Sequence, residues 1–244
     1  MANLPVLLAV SHGTSSPLGS IAISQLVAAV RRAAPDVEVA EAYVDVQQPD
    51  VPTALAALGD REVVIVPLLL SAGYHVRVDI ARAARQAGDH VSVAAAMGPD
   101  RRLARVLARR IASVSKTAAD ISERQGARQQ IVLCAAGSSD HGASEACQQM
   151  AELLAEETTV DVSAAFLSAA EPALPDLLDG LPSPHDCIVA TYLLATGYFD
   201  RVAGEHCGKV AGLRRTLPLL VADEDPPAEL VELVLDRYKQ AISR

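Results

Sequence analysis

At 244 residues, half of them apolar, the chain can bury the core of one large or two ordinary domains without disulfides or a structural metal. A net charge of -9 with no compensating basic cluster excludes nucleic-acid binding through the overall field, and 3% aromatic residues leaves few rings for base stacking. Cys134, Cys147, Cys187 and Cys207 never approach a C-x-x-C spacing, which points away from an iron–sulfur cluster or zinc ribbon and toward buried free thiols in a reducing cytoplasm.

The first apolar run, Leu4 to Val10, ends at Ser11 and has no basic residues before it. It is too short for a signal peptide or a membrane span and reads as a strand. The segment SHGTSSPLG follows and leads into a helix carrying Ile21, Ile23, Leu26, Val27 and Val30, so His12 stands between strand and helix. Val37 to Val44 alternates apolar and polar residues as a second strand, delivers Asp45 and Gln47 to a loop before Pro49, and is followed by a helix over Val51 to Leu58.

Val63 to Leu70 is apolar throughout and rich in β-branched residues, as a strand buried on both faces would be. Ser71, Ala72 and Gly73 form a small-residue turn, after which Val76, Ile80, Ala83 and Ala84 recur at helical spacing. His75 therefore occupies the same station as His12. A strand from Val91 to Ala96 and a helix from Asp100 to about Ala112 complete this half. Strands alternating with helices imply a parallel sheet with helices on both faces, and ligands of such sheets bind at the carboxyl ends of the strands.

Polar and small residues from Ser113 to Gln130 break the pattern, and the chain then repeats itself. Leu7 to Ser15 matches Ile131 to Ser139, and the shift that carries Gly13 onto Gly137 also carries Gly73 onto Gly197 and Tyr74 onto Tyr198. One residue out of phase, Pro49 and Pro52 match Pro172 and Pro175. The expected organisation is α/β with two tandem homologous domains, each a parallel sheet flanked by helices: residues 1–113, a linker over 114–130, and residues 131–244.

The halves differ where chemistry would be. His12 corresponds to Ala136, Asp45 to Ser168 and His75 to Phe199, while the neighbouring glycines and apolar runs persist. Joint loss of three polar residues marks His12, Asp45 and His75 as one unit needed once per chain. Two imidazoles and a carboxylate suit Co(II), Fe(II), Ni(II) or Zn(II) with coordination positions left open. Each residue alone has a plainer reading, as a hydrogen-bonded strand-end histidine or a turn aspartate. His90, His141, His185 and His206 lack the repeat's support and read as surface or loop residues.

His12 in SHGTSS, Asp45 in YVDVQQP and His75 in PLLLSAGYHVRVD resemble the signature positions of the sirohydrochlorin chelatase family, cobalto- and ferrochelatases whose long members contain two homologous halves. The resemblance covers nearly the whole chain. It implies the class II chelatase fold, His12 and His75 as catalytic residues that handle metal and protons, and Asp45 as a third metal ligand where relatives usually carry glutamate. It also implies insertion of Fe2+ or Co2+, with Ni2+ as a further option, into a tetrapyrrole, and no other cofactor.

Around these residues, Ser11, Gly13, Thr14, Ser15, Gly73, Tyr74 and Arg77 are the candidate substrate-binding positions. Phe199 in the second half could pack against the macrocycle or belong to the core. Arg77, Arg82 and Arg85, or helix N-termini, could meet substrate carboxylates. Relatives commonly have glycine before the first histidine and an arginine shortly after it; here Ser11 precedes His12 and no arginine follows Ser15. The ending DRYKQAISR carries no metal-cluster motif.

The absence of G-x-x-x-x-G-K-[ST] and G-x-G-x-x-G patterns agrees with a reaction that needs no nucleotide. A cytoplasmic monomer without nucleic-acid or membrane partners is expected. Two other readings of the same residues stay open: a non-catalytic metal or tetrapyrrole carrier, and a hydrolytic metal enzyme, which would usually show a third strong ligand and a separate base.

Overall fold

In the computed structural model, residues 4–71, 74–115 and 129–243 are described, with residues 74–77 described by backbone alone. The chain forms two compact units, residues 1–98 with 220–244, and residues 99–219.

The first unit is built on β1 (Val6–Ser11), β2 (Val39–Tyr43), β3 (Val63–Pro67) and β4 (Val91–Val93), all parallel, in the order β2-β1-β3-β4. Every residue of β1 and β3 is buried. This is what their uninterrupted apolar runs require of strands covered on both faces. β3 stops at Pro67, short of Leu70: proline has no amide to offer a further ladder, although Leu68 still donates to Val10 O at 2.7 Å. β4 is only three residues long and partly exposed, as an edge strand can be.

Helices α1 (Pro17–Ala33), α2 (Val51–Leu58) and α3 (Tyr74–Ala87) connect these strands. Ser16 caps α1 by accepting from Gly19 N, Asp50 caps α2 by accepting from Thr53 N, and each helix has proline in its first turn, where no amide partner is lost. α2 and α3 contribute Val51, Leu55, Ile80 and Ala84 to one core cluster with β1, β2 and β3.

The second unit contains α4 (Arg101–Val114), β5 (Gln130–Ala135), α5 (His141–Thr158), β6 (Val162–Phe166), α6 (Leu174–Asp179), β7 (Cys187–Tyr192), α7 (Tyr198–Cys207) and β8 (Arg214–Arg215), with a 3-10 turn at Pro184–Asp186. Its sheet is again parallel, in the order β6-β5-β7-β8, so the repeat in the sequence is a repeat of topology. Cys134, Cys187 and Cys207 are buried free thiols in its core, and Cys147 is buried on α5.

The last helix, α8 (Ala228–Ile242), packs on α1 and β3, whereas α4 packs on α5 and β7. Against the expected division into 1–113 and 131–244, each compact unit therefore takes the last helix of the other half. The contacts are apolar in both cases: Leu103, Leu107 and Ile111 of α4 and Leu230, Leu233 and Val234 of α8 are buried. Arg237 adds hydrogen bonds to Ala96 O (2.8 Å) and Met97 O (3.0 Å), and the Tyr238 hydroxyl donates to Pro5 O. The expected linker over 114–130 lies largely outside the described residues; α4 runs to Val114 and β5 begins at Gln130. No described helix is long and apolar enough to cross a membrane.

Candidate active site

In the order β2-β1-β3-β4, the chain leaves β1 toward β2 on one side and later returns to β3 on the other. The carboxyl ends of β1 and β3 are thus a topological switch point, where loops diverge and leave a crevice. The loop carrying His12 follows β1, the backbone of His75 lies in the first turn of α3 after β3, and Asp45 follows β2.

The first two loops are joined through their main chains. Val44 N donates to Ser11 O at 3.0 Å and Asp45 N to His12 O at 2.9 Å, extending the β1–β2 ladder past the strand ends. Gly13 has φ +92°, and a Cβ there would stand 1.9 Å from Asp45 O, so only glycine permits the approach. Beyond it the Asp45 carboxylate accepts from Val46 N (2.7 Å), Gln47 N donates to Asp45 O (2.7 Å), and Val46 has φ 67°. The Gln47 side chain binds the opposing loop, accepting from Thr14 N (2.9 Å) and donating to Ser20 Oγ (3.1 Å).

The side chains of His12, Asp45 and Ser15 are exposed, Gly13 and Thr14 are half-buried, and Ser11 is buried. Gly73 and the side chains of Tyr74, His75 and Arg77 lie outside the described residues. Among the described residues no three of His, Cys, Asp and Glu are placed to hold a metal ion. The pair that the described structure does bring to one place is His12 and Asp45. Arg82 and Arg85 are exposed on α3, where Arg82 faces Asp79 at 3.4 Å.

The second unit reproduces this scaffold without its side chains. Gly137 has φ +91°, and a Cβ there would meet Ser168 O at 1.8 Å; Leu167 N donates to Ala135 O at 3.0 Å, and Ala169 repeats the positive φ of Val46. Ser138 accepts from Asp140 N as Thr14 accepts from Ser16 N, both at 3.1 Å. In place of the Asp45 amide, the Ser168 hydroxyl donates to Ala136 O at 2.9 Å. Phe199 is half-buried, stands outside the second unit's core cluster, and packs edge-on against Tyr198. The loop geometry thus belongs to the fold, and the imidazole and carboxylate belong to the first unit alone.

Gln47 ties the candidate site's loops together through Thr14 N and Ser20 Oγ, a role that the sequence comparison passed over. Its counterpart is Ala170, so the loss of a polar group at this position, parallel to the losses at His12 and Asp45, was the signal that could have found it.

Two tandem parallel sheets of order 2-1-3-4, with polar loops retained at one switch point, define a chelatase-like architecture. The CbiX family profile matches residues 6–114 and 130–203, well over half of the sequence, and the chain belongs to that family. SirB from Bacillus subtilis, solved with Fe3+, is 20% identical and superposes with a TM-score of 0.73, covering 98% of this chain and 95% of that one. SirB from Bacillus subtilis subspecies spizizenii, in complex with cobalt, is 18% identical with a TM-score of 0.71, over 98% and 96% of the two chains. CbiX, described as the terminal enzyme of siroheme biosynthesis in denitrifying bacteria, is 23% identical with a TM-score of 0.66, over 95% and 98%. Comparison with curated proteins by sequence finds no match. The resemblance to sirohydrochlorin chelatases read from His12, Asp45 and His75 is borne out at the level of family and fold.

Proposed function

We propose that this protein inserts a divalent metal, Fe2+ or Co2+, into sirohydrochlorin, with His12 and His75 handling metal and protons and Asp45 as a further ligand. The observation that carries the reading is the paired scaffold: a left-handed glycine, a positive φ at the matching loop position and a main-chain bond just past the strand ends (Val44 N to Ser11 O, Leu167 N to Ala135 O) occur in both units, yet only the first bears His12 and Asp45. Membership of the CbiX family, and the metals bound by the SirB relatives, support the same chemistry.

Insertion exchanges M2+ for the two pyrrole N–H protons, so the balance is one metal in and two protons out, with no electron transfer. The site must hold the ion weakly enough to release it, which favours few protein ligands and open coordination positions over a closed cage. It must also supply a base beside the ring nitrogens. Neutral imidazole does either task, and His12 is exposed at the switch point on a loop fixed through its own carbonyl. Asp45 brings negative charge to the adjacent loop without altering the main chain that holds it.

The test is anaerobic incubation of the full chain with sirohydrochlorin and each of Fe2+, Co2+ and Ni2+, followed by tetrapyrrole absorption. Multiple turnovers per chain are expected, and the preferred metal identifies the product. A change limited to one equivalent per chain would instead identify a carrier.

A further inference from the structure

The second unit also carries groups that the first lacks. The sheet registers pair Cys134 with Thr191 as they pair Val10 with Pro67, and Thr216 N donates to Val189 O (2.9 Å) as Ala94 N donates to Ile65 O (2.8 Å). By these matches Thr191, Arg215, Thr216 and Asp200 stand where the first half has Pro67, Val93, Ala94 and Val76. Four positions that are apolar in the first half form one polar network in the second. Arg215 Nη1 donates to Asp200 Oδ1 at 2.5 Å and to Thr191 Oγ1 at 3.3 Å, and Thr191 and Thr216 exchange two further bonds of 2.9 and 2.7 Å.

The first unit builds a sheet of the same order with apolar residues at these positions. An ion pair whose side chains are only 12% and 22% exposed also carries a desolvation cost that well-packed apolar residues avoid. What it does is clamp the first turn of α7 to β8. That turn has no side-chain cap of its own, because Gly197 precedes it. On the same turn Tyr198 is 66% exposed, Phe199 packs edge-on to it with ring centroids 5.2 Å apart, and the Arg201 guanidinium lies 5.4 Å over the Tyr198 ring. Among the described residues, the other partner of Arg201 is Glu205, also at the surface.

We propose that the first turn of α7 is a tetrapyrrole-docking element, in which Tyr198 and Phe199 contact the flat macrocycle, Arg201 meets one of its carboxylates, and Asp200 with Arg215 are positioning residues. The inference rests on the chelatase reading for its ligand class. A planar ring with carboxylates at its rim needs an aromatic contact and a guanidinium within one side-chain length of each other, and this turn presents both. Exchange of Glu205 for a substrate carboxylate leaves the charge on Arg201 paired.

The experiment is a titration of metal-free sirohydrochlorin into the full chain, read by absorbance without metal, alongside steady-state insertion kinetics. Tyr198→Ala and Arg201→Met each weaken macrocycle binding about tenfold, the scale of one aromatic or charge-assisted contact. Both side chains are exposed, so these variants fold. Arg201→Lys recovers part of the loss by restoring charge. Asp200→Asn raises KM for the macrocycle while leaving kcat unchanged, a split that a merely structural role would not produce. Wild-type affinity in both Tyr198→Ala and Arg201→Met overturns the docking element while leaving chelation standing. Absence of insertion by the wild-type chain overturns the chelatase reading, and the metal-free titration still decides the docking element separately.

Discussion

The amide of Asp45 donates to the carbonyl of His12 at 2.9 Å, so the two candidate site residues are joined through their main chains and their side chains are left unconstrained by that bond. Either side chain can be replaced without untying the loops. The glycine between β1 and α1 cannot. Gly13→Ala forces a left-handed non-glycine residue and drives a methyl group into Asp45 O, with an expected loss of at least ~1–3 kcal/mol in urea unfolding and a fall in activity as the loops separate. Gly137→Ala meets the same obstruction at Ser168 O and loses similar stability. An unchanged unfolding midpoint in Gly13→Ala would show that the loop pair is not the rigid scaffold described.

Burial pushes the Cys134 thiol up to about 12 and those of Cys187 and Cys207 to about 11, each first through desolvation. Raised values in the folded state mean that folding holds these protons more tightly than the unfolded chain does. Stability is therefore fully present below the ordinary thiol value of 9 and declines as pH rises through 11 to 12. At pH 8 the native protein resists alkylation by iodoacetamide at these three positions, and the urea-unfolded protein is labelled at all of them. Rapid labelling of the native protein would contradict the burial.

Because α8 covers α1 and β3, the end of the chain is required by the beginning of it. Leu233→Ala, at a fully buried position, is expected to cost about 2–5 kcal/mol. Tyr238→Phe, which removes the donor to Pro5 O, costs about 1 kcal/mol. Removal of residues 220–244 strips the apolar cover from one face of the first sheet and gives insoluble protein. Unfolding midpoints and a solubility assay check all three, and a soluble truncated chain with wild-type stability would contradict the packing.

The sheets were legible because their central strands are unbroken apolar runs, and the repeat was legible because Gly13 and Gly137, like the apolar runs beside them, are held by the fold in both halves. The destinations of α4 and α8 were not legible. Leu107 and Leu233 each announce a buried face, but an apolar stripe does not say which of two similar sheets covers it. Gln47 was passed over because a glutamine in a loop has many surface roles, and only the bonds to Thr14 and Ser20 reveal this one. Asp200 and Arg215 were invisible for a different reason: they lie fifteen residues apart in sequence and meet only when α7 packs beside β8.

The most direct test of the account compares initial rates of anaerobic metal insertion into sirohydrochlorin by the wild-type chain and by His12→Ala, His75→Ala and His141→Ala, with folding checked by circular dichroism. His141 is the control, on α5 with its side chain 89% exposed. Losing a metal-handling or proton-transfer imidazole is expected to slow insertion by at least ~10²-fold in each of the first two variants, with metal-free macrocycle binding retained, while His141→Ala keeps the wild-type rate. Wild-type rates in both His12→Ala and His75→Ala would contradict the assignment of the chemistry to the first switch point.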